Sequence, residues 1–208
     1  VTTHQQYVWE KFILSGDMGY QNNHREEWSA FHTHYGSQPL PQTNPDKELG
    51  FNLNAFSFSA IGRLIGSSFW EHRMGWDSQF QRNTISGYSF LLPEYERFTT
   101  GVSWLTTYRP DNVLAVSGGI RYDYGRIYVF AHDDPYLATY LQEQGYSDEQ
   151  VESYRWNSRR VNRSFGDYSL SLGVVWTPSV LHQLKVNVGR SFRLPGANEL
   201  ASNGVHHG

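Results

Sequence analysis

The feature that most constrains this chain is a strict two-residue alternation that recurs along its length. From Val113 to Tyr124 it is plainest. Leu114, Val116, Gly118, Ile120, Tyr122 and Tyr124 fall on one side, and Ala115, Ser117, Gly119, Arg121 and Asp123 on the other. Successive side chains point to opposite faces only in an extended strand, so a helix would wrap both sets around its surface. Tyr168, Leu170, Leu172, Val174 and Trp176 repeat the pattern, as do Leu184, Val186 and Val188. About eight strands are predicted, near 5–15, 18–34, 49–60, 65–80, 95–109, 113–130, 164–177 and 183–193. Several run well past the usual five or six residues, and a tilted strand that crosses a bilayer needs about 9–11 for the hydrocarbon alone.

The connections alternate in length. Short ones are predicted at Gly16-Asp17, Gly62-Arg63, Pro110-Asp111-Asn112 and Pro178 to Gln183, and long ones near 35–48, 81–94, 131–163 and from 194 onward. A soluble sandwich has no reason to gather its short turns at one end, whereas an outer-membrane barrel pairs short periplasmic turns with long extracellular loops. The 14 Tyr, 12 Phe and 7 Trp point the same way, because such barrels carry aromatic girdles at both interfaces. The fold class expected is therefore all-β, an antiparallel transmembrane β-barrel wall. No apolar run approaches the roughly 18 residues of a membrane helix, which leaves a barrel untouched because its strands alternate lipid-facing and lumen-facing residues. In the longest loop, Asp134 before Pro135 reads as a helix N-cap, Gly145 as its stop, and Ser147 with Gln150 as a capping box for a second short helix through Trp156.

Other classes are disfavoured. Net charge is −3 without a large basic patch, which argues against nucleic acid. Cysteine is absent, so neither a disulfide framework nor a thiolate metal site exists. No Gly-x-Ser-x-Gly elbow, His-Glu-x-x-His or phosphate-binding glycine loop occurs, so no enzyme is expected and no cofactor.

Three segments are more specific than composition. They are Gly19-Tyr-Gln-Asn-Asn-His-Arg-Glu-Glu27, Ser117-Gly-Gly-Ile-Arg-Tyr-Asp123, and Gly189-Arg-Ser-Phe-Arg-Leu-Pro-Gly-Ala-Asn-Glu-Leu-Ala-Ser-Asn-Gly-Val-His-His-Gly208. In this order they resemble barrel motifs of TonB-dependent outer-membrane receptors. The resemblance implies a barrel of about 22 strands with a plugged lumen, of which residues 1–208 form a partial barrel domain of about eight strands, without plug or closing strands. It implies a receptor in the outer membrane of a Gram-negative bacterium, with the lipid bilayer, a TonB complex acting through an N-terminal region, and a metal-containing small molecule as partners. A ferric siderophore is the substrate expected, with haem, zinc or cobalamin as alternatives within the family.

Candidate residues follow. Gln21, Asn23, Arg25 and Glu27 share one strand face, and with Arg121 and Asp123 are expected to face the lumen or a plug. Arg193, Glu199, His206 and His207 are the candidate ligand-binding residues of the C-terminal motif; His32 and His34 form a second histidine pair without strong ligand geometry. Haem receptors usually carry Phe-Arg-Ala-Pro, where this chain has Phe192-Arg-Leu-Pro195. Two further readings compete. One is a complete eight-stranded structural or adhesion barrel, in which the first and last strands pair. The other is a soluble glycan-binding β domain, which fails if the faces carrying Leu114, Leu170 and Leu172 form a continuous outward apolar band.

Overall fold

A computed structural model describes residues 1–33, 35, 38–65 and 68–201. The strands are β1 (Thr2–Val8), β2 (Phe12–Trp28), β3 (Lys47–Ile65), β4 (Trp70–Ser86), β5 (Tyr95–Tyr108), β6 (Leu114–Val129), β7 (His132–Asp133), β8 (Trp156–Ser158), β9 (Val161–Ser179) and β10 (His182–Arg190). The helices are α1 (Pro135–Glu143), α2 (Asp148–Tyr154) and α3 (Ala197–Ala201). Eight strands form one antiparallel sheet in the order β1-β2-β3-β4-β5-β6-β9-β10, and β7 pairs with β8 inside a loop. Neighbours in sequence are neighbours in space, as in an up-and-down barrel wall. The sheet is open: β1 and β10 are its edges, and no ladder joins them among the described residues. The reading as a closed eight-stranded barrel fails on this point.

Register explains the alternation. From β2 to β10 each interior pairing joins residues of equal parity, for example Trp76↔Val102, Val102↔Tyr122, Ile120↔Leu170 and Leu172↔Val188. Even-numbered residues therefore share one face across seven strands; β1 joins with parity reversed, Thr3 lying beside Met18. The even face is a continuous apolar band that includes Met74, Trp76, Val102, Ile120, Leu170, Leu172 and Val186, all exposed. A soluble protein does not leave a face of this extent open to water, so the glycan-binding reading fails as well.

Aromatics close the band above and below. Trp70 meets Tyr108 (centroids 4.5 Å) near the short turns, and Tyr20 meets Phe56 (4.7 Å) toward the long loops. Phe80 pairs in register with Phe98, so Trp70 to Phe80 on β4 and Tyr108 to Phe98 on β5 each span ten residues. At about 3.4 Å per residue and a tilt near 40°, that is about 25 Å of height, the thickness of an outer-membrane apolar band.

The alternation of short and long connections holds, but two turns are displaced. Gly16 and Asp17 lie inside β2, paired with Ala60 and Ser59, and the chain reverses instead at residues 9–11, where Trp9 N–H donates to Phe12 O (2.8 Å). Gly62 and Arg63 likewise lie inside β3, paired with Met74 and Arg73. Both glycines sit on the even face as small members of the alternation, and a side chain at Gly62 would start 3.2 Å from the Phe12 ring. The second strand ends at Trp28, short of His32, and β4 runs on to Ser86 before its loop. In the long loop Asp134 accepts from Tyr136 and Leu137 N–H (3.0 and 3.1 Å), Gly145 has φ +82°, and Ser147 with Gln150 forms the capping box. α2 ends at Tyr154, because Trp156 turns into β8.

The midpoint of β9 between Tyr168 and Trp176 is Leu172, which is 59% exposed on the apolar face. Leu172→Arg is expected to destabilise the protein in a bilayer by about 2–4 kcal/mol, as arginine does at the midplane of a barrel's lipid face. Reversible urea unfolding in lipid vesicles measures it; a change within error would show that this face does not meet hydrocarbon.

Candidate functional site

The odd face is polar and densely paired. Arg121 on β6 reaches across β5 to β4: its Nη1 and Nη2 donate to the two carboxylate oxygens of Asp77 (2.7 and 2.9 Å), while Nε donates to Asp123 (2.8 Å). The side chain crosses the sheet over Gly101, where a Cβ would lie 2.2 Å from Arg121 Nη2 and 2.5 Å from Asp123 Oδ1. A side chain at this position would have to push aside the ends of Arg121 and Asp123, so glycine lets them come close. The same rung continues to either side, with His4 against Asp17 (2.6 Å) on β1 and β2 and Asp167 on β9, which is met by Arg190 reaching over from its even-numbered position opposite Leu170 on β10. Gln21, Asn23, Arg25 and Glu27 all lie on this face of β2, and Arg25 pairs with Glu27.

Toward the long loops the odd face is covered. Ile127 and Val129 on β6 form a buried cluster with Ala197 of α3, joined by Tyr95, Phe165 and Leu200. The segment after β10 thus folds back over the wall, close enough that a Cβ on Gly125 would meet Leu194 Cδ1 at 2.6 Å. Arg193 and Glu199 hold this return, with Nη2 to Oε1 at 2.7 Å and Nη1 to Oε2 at 3.1 Å. Glu199 also accepts from Gly196 N–H (2.7 Å). The Arg193 guanidinium and that N–H hold the Glu199 carboxyl below its ordinary 4.5. Both side chains are thus engaged with each other in a clasp. His206 and His207 lie outside the described residues, as does His34.

At the loop end of β3 and β4 the three long loops enclose a vestibule of about 1010 Å³, lined by Tyr35, Tyr88, Phe90, His132, Tyr136, Tyr154 and Trp156 with Lys47, Glu48 and Asp133 among them. Its rings are fixed from outside. Tyr88 packs edge-on against Phe31 (5.0 Å), and its hydroxyl contacts Ser29 Oγ (3.0 Å) and His32 Nδ1 (3.3 Å). Burial pushes the Tyr35 phenol up, so it is a neutral hydroxyl at physiological pH. His132 stacks on Phe90 (4.9 Å, 23° between planes) where β7 meets β8. Ion pairing of Asp133 with Arg155 and the bond from Ser158 Oγ to Phe130 O (2.9 Å) tie down that strand pair. Among the described residues no three His, Asp or Glu side chains converge to hold a metal ion.

Sequence reading named Arg121 and Asp123 and missed Asp77, Gly101, Phe90 and His132. Asp77 alternates correctly on β4, but its partner is 44 residues away. The vestibule brings together three loops that share no local motif. Chemically, such a chamber holds a ligand with broad flat or apolar faces through its rings and orients it with a few polar groups.

Residues 2–208 match the family model for the TonB dependent receptor-like β-barrel. Among solved structures the chain is similar to a double mutant of the Serratia marcescens hemophore receptor HasR in complex with its hemophore HasA and heme. The TM-score is 0.63 at 17% identity, over 99% of this chain and 32% of that one. The chain thus spans about a third of the length of that structure. No curated protein matches.

Two outcomes are expected from the wall. Gly101→Ala should lower stability by about 1–3 kcal/mol through overpacking against Arg121 and Asp123, and this loss should shrink in an Arg121→Ala background. A double-mutant cycle in denaturant reads the coupling, and additive losses would refute the close approach. The Arg193–Glu199 clasp should be intact above the ordinary carboxylate range, because a carboxyl held low in the folded state stabilises there, and should loosen as pH falls through its lowered value. Hydrogen exchange across 193–201, corrected for intrinsic rate, should therefore speed up on acidification, and Glu199→Gln should remove that pH dependence.

Proposed function

Since the chain belongs to the TonB-dependent receptor-like β-barrel family, we propose that it forms part of the wall and outer vestibule of a receptor that takes up a metal chelate. The receptor sits in the outer membrane of a Gram-negative bacterium, with its even face toward lipid and its long loops outside. A TonB complex energises uptake, and a plug fills the lumen. The observation that carries this reading is the ring-lined vestibule of about 1010 Å³ above a polar lumenal wall. It is at the upper end of small-molecule sites, which suits a bulky chelate. On the odd face, Gln21, Asn23, Arg25, Glu27, Arg121 and Asp123 are the wall against which the plug rests. Arg193 and Glu199 belong to the segment that leaves this wall toward the outside, and His206 and His207, further along the sequence, are candidate ligand residues with them.

A ferric siderophore is the substrate of this reading, held by the vestibule's rings. Haem is a second reading with its own support. His132 offers an imidazole at the edge of the chamber, stacked on Phe90 and without a hydrogen-bond partner among the described residues. Imidazole is the commonest biological ligand for such iron.

The test is growth of a strain lacking the receptor and complemented with the full-length gene, on ferric siderophore, haem, zinc or cobalamin as single sources. Restored growth on ferric siderophore alone, unaffected by His132→Ala, is the expected result. Growth restored on haem and abolished by His132→Ala would replace it with the haem reading. Equal growth on all sources, with and without the gene, would sink metal-chelate uptake.

A further inference from the structure

The vestibule is rich in rings, and its charges are unevenly matched. Counting histidine as neutral, one lysine and three carboxylates line it: Lys47, Glu48, Asp133 and Asp134. A ligand meets only those charges that the protein has not already engaged.

The positive elements at the chamber are closed off by acids. Lys47 Nζ lies 2.6 Å from Glu26 Oε1, and its side chain is 14% exposed. The Arg155 guanidinium, behind the lining, pairs with Asp133 and lies 3.8 Å from Glu152. A helix N-terminus is a further source of positive potential, because its first N–H groups lack helical partners and its dipole favours anions. α1 begins at the chamber, but Asp134 caps it with its own carboxylate, Oδ1 accepting from Tyr136 and Leu137 N–H. The residues outside those described contain no lysine or arginine.

Two of the carboxylates have no cation. Glu48 Oε2 accepts from the Ser29 hydroxyl (2.7 Å), a neutral donor. Asp134 has its two backbone donors. Neither pairs with lysine or arginine among the described residues. Burial, and after it the Asp134 carboxylate, pushes the Tyr35 phenol up, so the charge of Asp134 is felt by a ring of the lining. Glu26 cancels Lys47 and Arg155 cancels Asp133, which leaves Glu48 and Asp134. This sector of the vestibule thus presents rings and carboxylates to an incoming ligand.

Ferric chelates divide by charge. Hydroxamate donors lose one proton each, so a ferric tris-hydroxamate is neutral. Catecholate donors lose two each, so a ferric tris-catecholate is anionic, and haem carries propionates. Like charges brought together at a binding surface select against the wrong partner, the more so where the ligand displaces water.

We infer that Glu48 and Asp134 make this sector of the vestibule a charge filter, which admits ferric chelates without net negative charge, such as tris-hydroxamates, and repels anionic ones. This rests on the reading above that the vestibule is where the chelate binds. The two carboxylates act through their field and not as iron ligands: no three His, Asp or Glu side chains converge among the described residues, and the iron of a chelate is already held by its own donors.

The experiment uses the full-length receptor in detergent and reads binding by quenching of intrinsic tryptophan fluorescence. The probe is one linear ferric tris-hydroxamate in forms that differ in charge, with its pendant amine free (cationic), acetylated (neutral) or succinylated (anionic). Ferric tris-catecholate and haem are titrated alongside. At low salt, wild type is expected to bind the cationic and neutral forms about tenfold tighter than the succinylated form, and the gap should close as ionic strength rises. Glu48→Gln keeps an acceptor for Ser29, and Asp134→Asn keeps an N-cap oxygen, so each removes charge and preserves the contact. Together they should close most of the gap at low salt by raising affinity for the anionic form, with the neutral form unchanged within about twofold. A structural effect would instead weaken all forms alike. If heat-modifiable gel mobility shows that the double variant is not folded, each single variant should close the gap by about threefold. Tighter binding of the succinylated form, the catecholate or haem by wild type, or a gap unchanged in the variants, would overturn the filter and leave chelate uptake standing. Binding of none of these chelates would overturn the uptake reading itself, and the filter with it.

Discussion

Everything in this wall depends on uninterrupted antiparallel register. Because side chains alternate with a period of two, a one-residue slip in any strand would exchange its apolar set for its polar set. The ladders avoid this over their whole working height. The two bulges adjoining long strands fall at the ends, at Glu27/Trp28 toward the loops and at His182/Leu184 toward the short turns. Between those levels each strand is committed on both faces at once. Leu172 toward the band and Ser171 toward the polar odd face are specified by the same hydrogen bonds.

With the outward face fixed by hydrophobic matching, the inward face is where the chain builds specific contacts, and it does so with small residues. Gly101 opens a path for Arg121 to Asp77, and Gly125 admits Leu194. In each case a long side chain crosses a strand that offers no Cβ. A guanidinium held by two carboxylates stays charged on the polar odd face, and its bidentate geometry ties β4 and β6 to one another across β5.

The features legible in the sequence are those with local causes. Alternation gave away the strands and their faces, and the helix caps at Asp134 and Ser147 were readable because cap and capped N–H groups lie within three residues. Gly16-Asp17 and Gly62-Arg63 look like turns by composition, but glycine serves equally where a neighbouring ring needs room, and only the partner strand tells the two apart. Phe12 beside Gly62 is such a partner, 50 residues distant. The vestibule was illegible for the same reason on a larger scale. Tyr35, Phe90 and His132 acquire a common purpose only once three loops stand side by side.

The strand tops join the two sides of the wall. On β6, Arg126 and Tyr128 face outward while Ile127 and Val129 face inward into the cluster beneath α3. The outward residues thus alternate, one for one, with those that anchor the return segment. Displacing Arg126 by a rung would require moving Ile127 by the same step, and the buried cluster with Ala197 would be lost. The outward rungs and the placement of the return segment inside are therefore coupled through backbone geometry.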